Sequence, residues 1–280
     1  MRTPPLVSVV VPCYNAAAFV RDTLDSIQKQ TYAPVEIVAI NDGSTDNTLQ
    51  ILEAYASSDP RIRVVSQPNA GLPAARNSGI RQATGDLICF LDADDVFLPD
   101  KLARQVDYLM NNPAIDLVYS DYYIGDTDLS LIGLVAVRIP GGDLVDAYAA
   151  KNRFAPMVPL IRRSLIDRVG SFDESLRAAE DWDYWIRCAK AGRFGYLSGP
   201  VAIYRSHPSQ MHNDGDRMFH GGRRVIDKHF RADGVRYRRA LACFYWANAK
   251  CRITDSKVRA ALYLLASEYH SRLAGGVSRD

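Results

Sequence analysis

Gly85-Asp86-Leu87-Ile88-Cys89-Phe90-Leu91-Asp92-Ala93-Asp94-Asp95 is the stretch on which the fold turns. Leu87 to Leu91 is a continuous apolar run, of the length and kind of a strand buried on both faces. It ends in three carboxylates within four positions, Asp92, Asp94 and Asp95. Like charges packed at a strand end repel one another, and a divalent cation relieves that repulsion through hard oxygen ligands. In open α/β sheets, ligands bind beyond the carboxyl ends of the strands, which is where these acids fall. The same residues also read as a solvated Asp-rich turn with capping duty, because Pro99 and Asp100 open a helix soon after. The stretch alone leaves both readings open.

Working back toward the N-terminus, strand and helix patterns alternate. Leu6 to Val11 is a β-branched run that reads as a central parallel strand stopped by Pro12. Phe19 to Gln30 carries a helical stripe of Phe19, Val20, Leu24 and Ile27. Glu36 to Ile40 is a second strand ending in Asn41-Asp42-Gly43-Ser44, followed by a helix through Leu49, Ile51, Leu52 and Tyr55. A strand at Ile62 to Ser66 and a turn at Asn69-Ala70-Gly71-Leu72 lead into a helix from Pro73 to Ala83, with proline in the first turn where it is tolerated. This alternation predicts a doubly wound parallel sheet.

Toward the C-terminus the pattern loosens. Helix is expected over Lys101 to Met110 and strand over Leu117 to Tyr123. The turn-rich stretch from Asp126 to Gly142 holds an apolar run, Leu131 to Val137, suited to antiparallel pairing. Strand then helix follow at Ala155 to Ile161 and Arg163 to Gly170, a helix at Glu180 to Ala191, and a last strand at Val201 to Tyr204. Beyond that the sequence predicts only helix, over Asp216 to Arg231, Val235 to Cys251 and Asp255 to Arg272.

Composition narrows the class. Apolar residues make up 48% and charged residues 24%, ordinary for a globular protein, and a net charge of +2 points to no general polyanion binding, so no nucleic-acid partner is expected. The five cysteines are scattered, without a C-x-x-C pair, which argues for reduced thiols and against a zinc site. The run from Leu6 to Val11 is too short for a signal-peptide core, and no run approaches the ~18 apolar residues of a membrane span. A cytoplasmic protein is expected, in peripheral contact with a membrane at most.

Three successive strand ends carry unusual residues: Pro12-Cys13-Tyr14-Asn15, Asn41-Asp42-Gly43-Ser44 and Asp92-Ala93-Asp94-Asp95. Parallel neighbours would bring them to one edge of the sheet. That edge would offer a ring to stack on a base, an Asp to accept from a ring N–H, and acids for a metal that bridges phosphates. No G-x-G-x-x-G follows the first strand and no P-loop is present, which excludes the common dinucleotide and NTPase sites.

The chain resembles the family 2 glycosyltransferases. The residues that carry the resemblance are Val7 to Asn15, Glu36 to Asp46, Asn69-Ala70-Gly71 with Ala75-Arg76-Asn77-Ser78-Gly79, Gly85 to Asp95, Gly170-Ser171-Phe172-Asp173, and Glu180-Asp181-Trp182. The resemblance covers about residues 5 to 212 and holds the family's order. It implies the GT-A fold, an α/β Rossmann-like architecture with a mixed, mainly parallel sheet flanked by helices. It also divides the chain into a nucleotide-sugar half of about residues 1–98, an acceptor half of about 99–212 and a C-terminal helical extension over 213–280.

Roles follow from the resemblance residue by residue. Tyr14 would stack on the nucleobase and Asp42 would accept from its ring N–H, with Pro12, Asn15, Arg76, Asp92 and Ala93 completing the nucleotide contacts. Asp92 and Asp94 match the two acids of a D-x-D motif. Asp94, with His207, would hold Mn²⁺ or Mg²⁺. Asp181 matches the general base of inverting members. Glu180, Trp182 and Arg205 would contact acceptor or diphosphate. Asn41 departs from the family's common Asp, which removes one charge and leaves Asp42 in place. The implied partners are a nucleotide-sugar donor, UDP by family habit or dTDP, and a saccharide or lipid-linked acceptor in polysaccharide or glycolipid assembly.

The chemistry suits these residue types. A leaving diphosphate needs its developing charge offset, and an acceptor hydroxyl needs a carboxylate to take its proton. Two other classes remain. A non-catalytic nucleotide-sugar binding module could use the same fold, although it would need no base. A sugar-1-phosphate nucleotidyltransferase would carry a Gly-rich basic loop where this chain has Pro12-Cys13-Tyr14-Asn15. The helices beyond residue 212 gather Arg217, Arg223, Arg224, Lys228, Arg231, Arg236, Arg238 and Arg239 against Asp216, Asp227 and Asp233. Such a run reads as a solvated face or as a surface for an anionic membrane.

Overall fold

The computed structural model describes residues 3–139, 144–252 and 257–274. The chain forms two compact units: Met1–Arg138 with Phe154–Glu174 and Ala191–Gln210, and Ile139–Arg153 with Ser175–Lys190 and Met211–Asp280. The units interleave along the chain, since the second takes segments from within residues 99–212 as well as the C-terminal helices.

The first unit holds the sheet. Its strands are β1 (Val7–Cys13), β2 (Val35–Asp42), β3 (Ile62–Gln67), β4 (Leu87–Phe90), β5 (Val96–Phe97), β6 (Leu117–Gly125), β7 (Leu131–Val135), β8 (Leu160–Arg162) and β9 (Phe194–Arg205). Among the described residues the order is β3-β2-β1-β4-β8-β6-β9-β5, with β7 paired to β6. The block β3-β2-β1-β4 is parallel, as the strand–helix alternation predicts. β8 then runs antiparallel to both β4 and β6, and β9 runs parallel to β6. Every residue of β1 and β4 is buried, which is why those segments read as unbroken apolar runs.

The helices of this unit are α1 (Val20–Gln28), α2 (Thr48–Ser58), α3 (Leu72–Gln82), α4 (Lys101–Asn111) and α6 (Arg163–Val169). α3 lies so close to β1 that a Cβ on Gly79 would stand 2.1 Å from Val10 Cγ1, so only glycine fits there. Val38, Ile40 and Ala75 pack between β2 and α3 as part of the core.

Several boundaries differ from the sequence expectation. β1 runs through Pro12 to Cys13, because its pairing with β4 ends at Val10↔Phe90 and the proline lies beyond it, where a missing N–H costs no bond to β4. The strand expected over Ala155 to Ile161 is confined to Leu160–Arg162; Pro156 and Pro159 keep the preceding residues in a turn closed by Val158 N to Ala155 O. The last strand begins at Phe194 rather than Val201. Its ladder with β6 shifts register between Ser120 and Asp121, where Gly199 takes φ +91°, and that irregularity hides the strand in sequence. β7 pairs antiparallel with β6, as expected.

The second unit is helical: α5 (Leu144–Ala150), α7 (Glu180–Ala191), α8 (Gly215–Phe230), α9 (Gly234–Arg252) and α10 (Lys257–Leu273). α5 carried no sequence signal strong enough to predict it. The first residues expected in the last helix, Asp255 and Ser256, lie outside the described residues. α7 buries Trp182, Tyr184, Trp185 and Ile186, each worth about 1.5–3 kcal/mol against exposure. Trp182 Nε1 donates to Tyr148 O at 2.8 Å, and its ring stacks toward Phe244. No described helix is long and apolar enough to cross a membrane.

Candidate functional site at the carboxyl end of the sheet

The parallel pairing of β2, β1 and β4 carries their C-terminal residues to one edge, as the three unusual strand ends predict. At β1, Pro12 is buried while Tyr14 is 52% exposed. Asn15 follows with φ +49°, and its Oδ1 accepts from Thr45 N at 2.8 Å while its own N–H donates to Ser44 Oγ at 3.1 Å. The first two strand ends are thereby tied together.

At β2, Asp42 is buried and accepts three hydrogen bonds: Gln67 Nε2 at 2.7 Å, Ala70 N at 3.0 Å and Gly71 N at 2.9 Å. It fixes the turn that leads into α3, and a carboxylate with about four acceptor positions has one left. Gly43 beside it adopts φ +70°, with Asn69 N only 2.7 Å from where a Cβ would stand. Asn41 Oδ1 accepts from Ser44 N at 3.1 Å, a local turn contact that an Asp could also make.

At β4 the acids sit in a frame of basic side chains. Arg76, fully buried on α3, donates Nη2 to Asp92 Oδ1 at 2.8 Å and lies over the Phe172 ring. His207 Nε2 is 3.0 Å from Asp94 Oδ2. Burial, and then the charge of Asp92, raise the Asp94 carboxyl above its ordinary range, against the hydrogen bond from His207. Asp95 is raised further, by burial and then by Asp94 and Asp92, and its Oδ2 has no hydrogen-bond partner. Burial, and then the charges of Asp92 and Asp94, likewise push the Cys13 thiol up. Ala93 is buried between the acids.

Arg205 organises this turn from the end of β9. It is buried, its backbone N–H donates to Asp95 Oδ1 at 2.9 Å, and its guanidinium reaches Asp94 O at 2.7 Å, Thr127 O at 2.5 Å and Asp22 Oδ2 at 2.7 Å. The same group lies 4.8 Å above the Phe19 ring, on which His207 also packs. α1 adds Thr23 Oγ1 to Asp95 O at 2.8 Å. Arg205 thus divides its donors between the acid turn, Thr127 and Asp22. Asp22 and Thr23, which do this from α1, gave no signal in sequence beyond helical spacing.

Among the described residues, no group of three or more His, Cys, Asp and Glu is set to hold a metal ion. The local donor set still suits a hard divalent cation. Asp94 and His207, 3.0 Å apart, are two side chains that could ligate one, and Mg²⁺-like ions commonly take few protein ligands and the rest from substrate phosphates and water. A cation there would also relieve the repulsion that raises Asp94 and Asp95.

The remaining predicted residues belong to the second unit. Asp181, half-buried on the first turn of α7, accepts from Asn152 Nδ2 at 2.7 Å and from Trp182 N at 2.8 Å. Glu180 is only 5% exposed. Trp182 is packed inside the unit. Two residues after Asp181, fully buried Asp183 accepts from His229 Nε2 and Lys228 Nζ, each at 2.7 Å, and from Arg187 Nε at 2.9 Å. Burial works against its ionisation, but the bonds from His229 and Lys228 and the charge of Arg187 prevail, holding it well below the usual carboxylate range.

A mainly parallel sheet interrupted by antiparallel β8, with acids gathered at its carboxyl edge, defines the GT-A class of α/β fold. Solved structures share it. Staphylococcus aureus TarS 1–349 in complex with UDP-GlcNAc matches with TM-score 0.64 and 20% identity, over 98% of this chain and 93% of that one. A mannosyltransferase from Pyrobaculum calidifontis, PcManGT, in complex with GDP-Man and Mn²⁺, matches with TM-score 0.65 and 20% identity over 98% and 84%. The profile of Glycosyl transferase family 2 matches residues 8–166, and the chain belongs to that family. Among curated relatives, the uncharacterized glycosyltransferase EpsJ of Bacillus subtilis is 36% identical over 217 residues, 74% of this chain and 63% of EpsJ. The chondroitin synthase of Pasteurella multocida is 31% identical over 196 residues, 69% of this chain and 20% of the synthase. The chain therefore spans less than two thirds of these relatives.

Proposed function

We propose that this chain transfers a sugar from a nucleoside-diphosphate sugar to an acceptor hydroxyl, by a single displacement that inverts the anomeric centre. The observation that carries the proposal is the set of acids at the end of β4, Asp92, Asp94 and Asp95, framed by Arg76, Arg205 and His207. Family membership and the names of relatives, a chondroitin and a hyaluronan synthase among them, support the reaction class and a place in polysaccharide or glycolipid assembly. The neighbours crystallised with UDP-GlcNAc and with GDP-Man and Mn²⁺ support a donor of this chemical kind.

In this reading the donor half is about residues 1–98, within the first unit. Tyr14, exposed at the end of β1, offers its face to the base, while Asp42 has one acceptor position left for a ring N–H beside the turn it holds. A pyrimidine donor, UDP or dTDP, suits that contact. Asp94 and His207 would hold Mn²⁺ or Mg²⁺, which when bound offsets the charge growing on the leaving diphosphate. Arg76 fixes Asp92, and Arg205 fixes the backbone of Asp94 and the carboxylate of Asp95. Asp181 takes the acceptor's proton, a contribution of typically ~10²- to 10⁴-fold in rate.

A peripheral contact with an anionic membrane would fall to exposed Arg231 and Arg239. Arg217, Arg223, Arg224, Lys228, Arg236 and Arg238 each bond an oxygen within their own unit. Co-sedimentation with anionic and neutral vesicles decides that point, equal or absent binding removing it.

Incubation with UDP-, dTDP- and GDP-sugars, Mn²⁺ and candidate saccharide or lipid acceptors tests the reaction. Release of free nucleoside diphosphate is the expected result. Pyrophosphate chemistry would indicate a nucleotidyltransferase, and donor-dependent thermal stabilisation with no turnover would indicate a binding module.

A further inference from the structure

We propose that Asn152 is a positioning residue, whose amide holds the Asp181 carboxylate in the orientation from which it takes the acceptor's proton; this rests on the reading of Asp181 as the base. Both residues belong to the second unit. Asn152 follows α5, and its Nδ2 donates to Asp181 Oδ2 at 2.7 Å across 29 residues of chain. The other carboxylate oxygen, Oδ1, accepts from Trp182 N at 2.8 Å. A bond to each oxygen fixes the carboxylate in direction and in twist.

The segment that carries Asn152 is tied down beside it. Arg153 Nε donates back to Ala147 O at 2.7 Å, and Trp182 Nε1 donates to Tyr148 O at 2.8 Å, which binds α5 to the first turn of α7. The amide itself is only half satisfied. Asn152 Oδ1 is buried and has no hydrogen-bond partner among the described residues. A carbonyl buried in this way works against folding. Turning the amide over would set its oxygen against an ionised carboxylate, which only accepts, so the amide keeps its donor on Asp181 and leaves its oxygen unpaired. Stability alone does not account for such an asparagine; holding the carboxylate does.

Turnover, donor affinity and urea unfolding of the whole chain test the role, with Mn²⁺ and whichever nucleotide sugar the wild type consumes. Asn152→Ala should lower kcat by about 10- to 100-fold, with donor Kd within about twofold and unfolding stability undiminished. Asn152→Asp keeps the size but sets an acceptor against Asp181, and should lower kcat at least as far. In an Asp181→Asn background, Asn152→Ala should change the residual rate by less than about twofold, because it acts through the missing carboxylate. Wild-type kcat in Asn152→Ala, with Asp181→Asn inactive, overturns the positioning role and leaves the base standing. An effect equal in both backgrounds, or one that follows a loss of stability, shows a structural residue and overturns it too. Full turnover in Asp181→Asn, or a wild type that consumes no donor, removes the reading of the base and this role together.

Discussion

His207 Nε2 lies 3.0 Å from Asp94 Oδ2, while its Nδ1 lies 2.9 Å from Ser209 Oγ. The ring is pinned from behind by Phe19, 4.6 Å between centroids. One imidazole thus joins the loop after β9 to the acid turn after β4. A cation entering between the two side chains would replace their hydrogen bond with two ligand bonds.

Asp94→Ala should therefore abolish metal-dependent binding of a nucleoside diphosphate, a loss of more than about 100-fold in affinity by calorimetry with Mn²⁺. His207→Ala should cost less, about 10- to 100-fold, since the Asp94 ligand remains. Wild-type affinity and metal dependence in Asp94→Ala would remove the metal assignment.

The carboxyl edge of the sheet was legible in sequence because apolar runs ending in polar clusters mark parallel strand ends, and Val7–Cys13, Val35–Asp42 and Leu87–Phe90 carry that pattern. What supports the edge was not legible. Arg205 reads as a charged residue after a short strand, whereas it is buried by contacts to Asp22, Asp94 and Thr127, between 78 and 183 residues away in sequence. Phe194 to Pro200 hid its strand behind Gly199, and α5 lacked a cap or stripe to announce it. Local patterning reports on segments; the frame around the acids is built from long-range pairs.

Lys101 gives a pH prediction independent of catalysis. Its ammonium is fully buried at the start of α4, bonded to Gln105 Oε1 at 2.5 Å and Val158 O at 3.1 Å. Burial pushes it down from 10.5 to about 8, only partly opposed by Cys89. Between those values the unfolded chain binds a proton that the folded chain has released, so this residue's contribution to stability rises with pH. Urea unfolding of wild type and Lys101→Met should show a difference that grows in the wild type's favour by up to about 3 kcal/mol from pH 8 to 10. A constant difference across that window would refute the buried charge.

Asp183 predicts the opposite end of the scale. Its folded carboxyl is held below the ordinary range, so below about pH 4 the unfolded chain takes up a proton that the folded chain refuses, and stability is lost as the pH is lowered. Asp183→Asn should cost about 2–4 kcal/mol at pH 7, because Lys228 and Arg187 lose their buried counter-charge. The variant should also unfold less steeply in acid than the wild type. Equal acid slopes would show that the cluster is not ionised as its geometry suggests.

Asp181 is the proposed base, and Asp181→Asn should lose transfer while keeping donor binding. The two neighbouring acids differ in setting: Glu180 is 5% exposed, whereas Asp181 is half-buried, as a group that meets an acceptor must be. The bonds from Asn152 Nδ2 and Trp182 N are ones it accepts, and they aim the carboxylate. Its place on the first turn of α7 favours a negative charge through the helix dipole. Asparagine keeps the size but cannot take the proton, so the loss belongs in turnover and not in donor affinity. Turnover should fall by about 10²-fold or more, read as nucleoside diphosphate released per enzyme. A mere two-fold drop would sink the assignment, and so would lost donor binding in a folded variant. Were Glu180→Gln the inactive protein instead, the base would be the buried neighbour, and α7 would have to open to expose it.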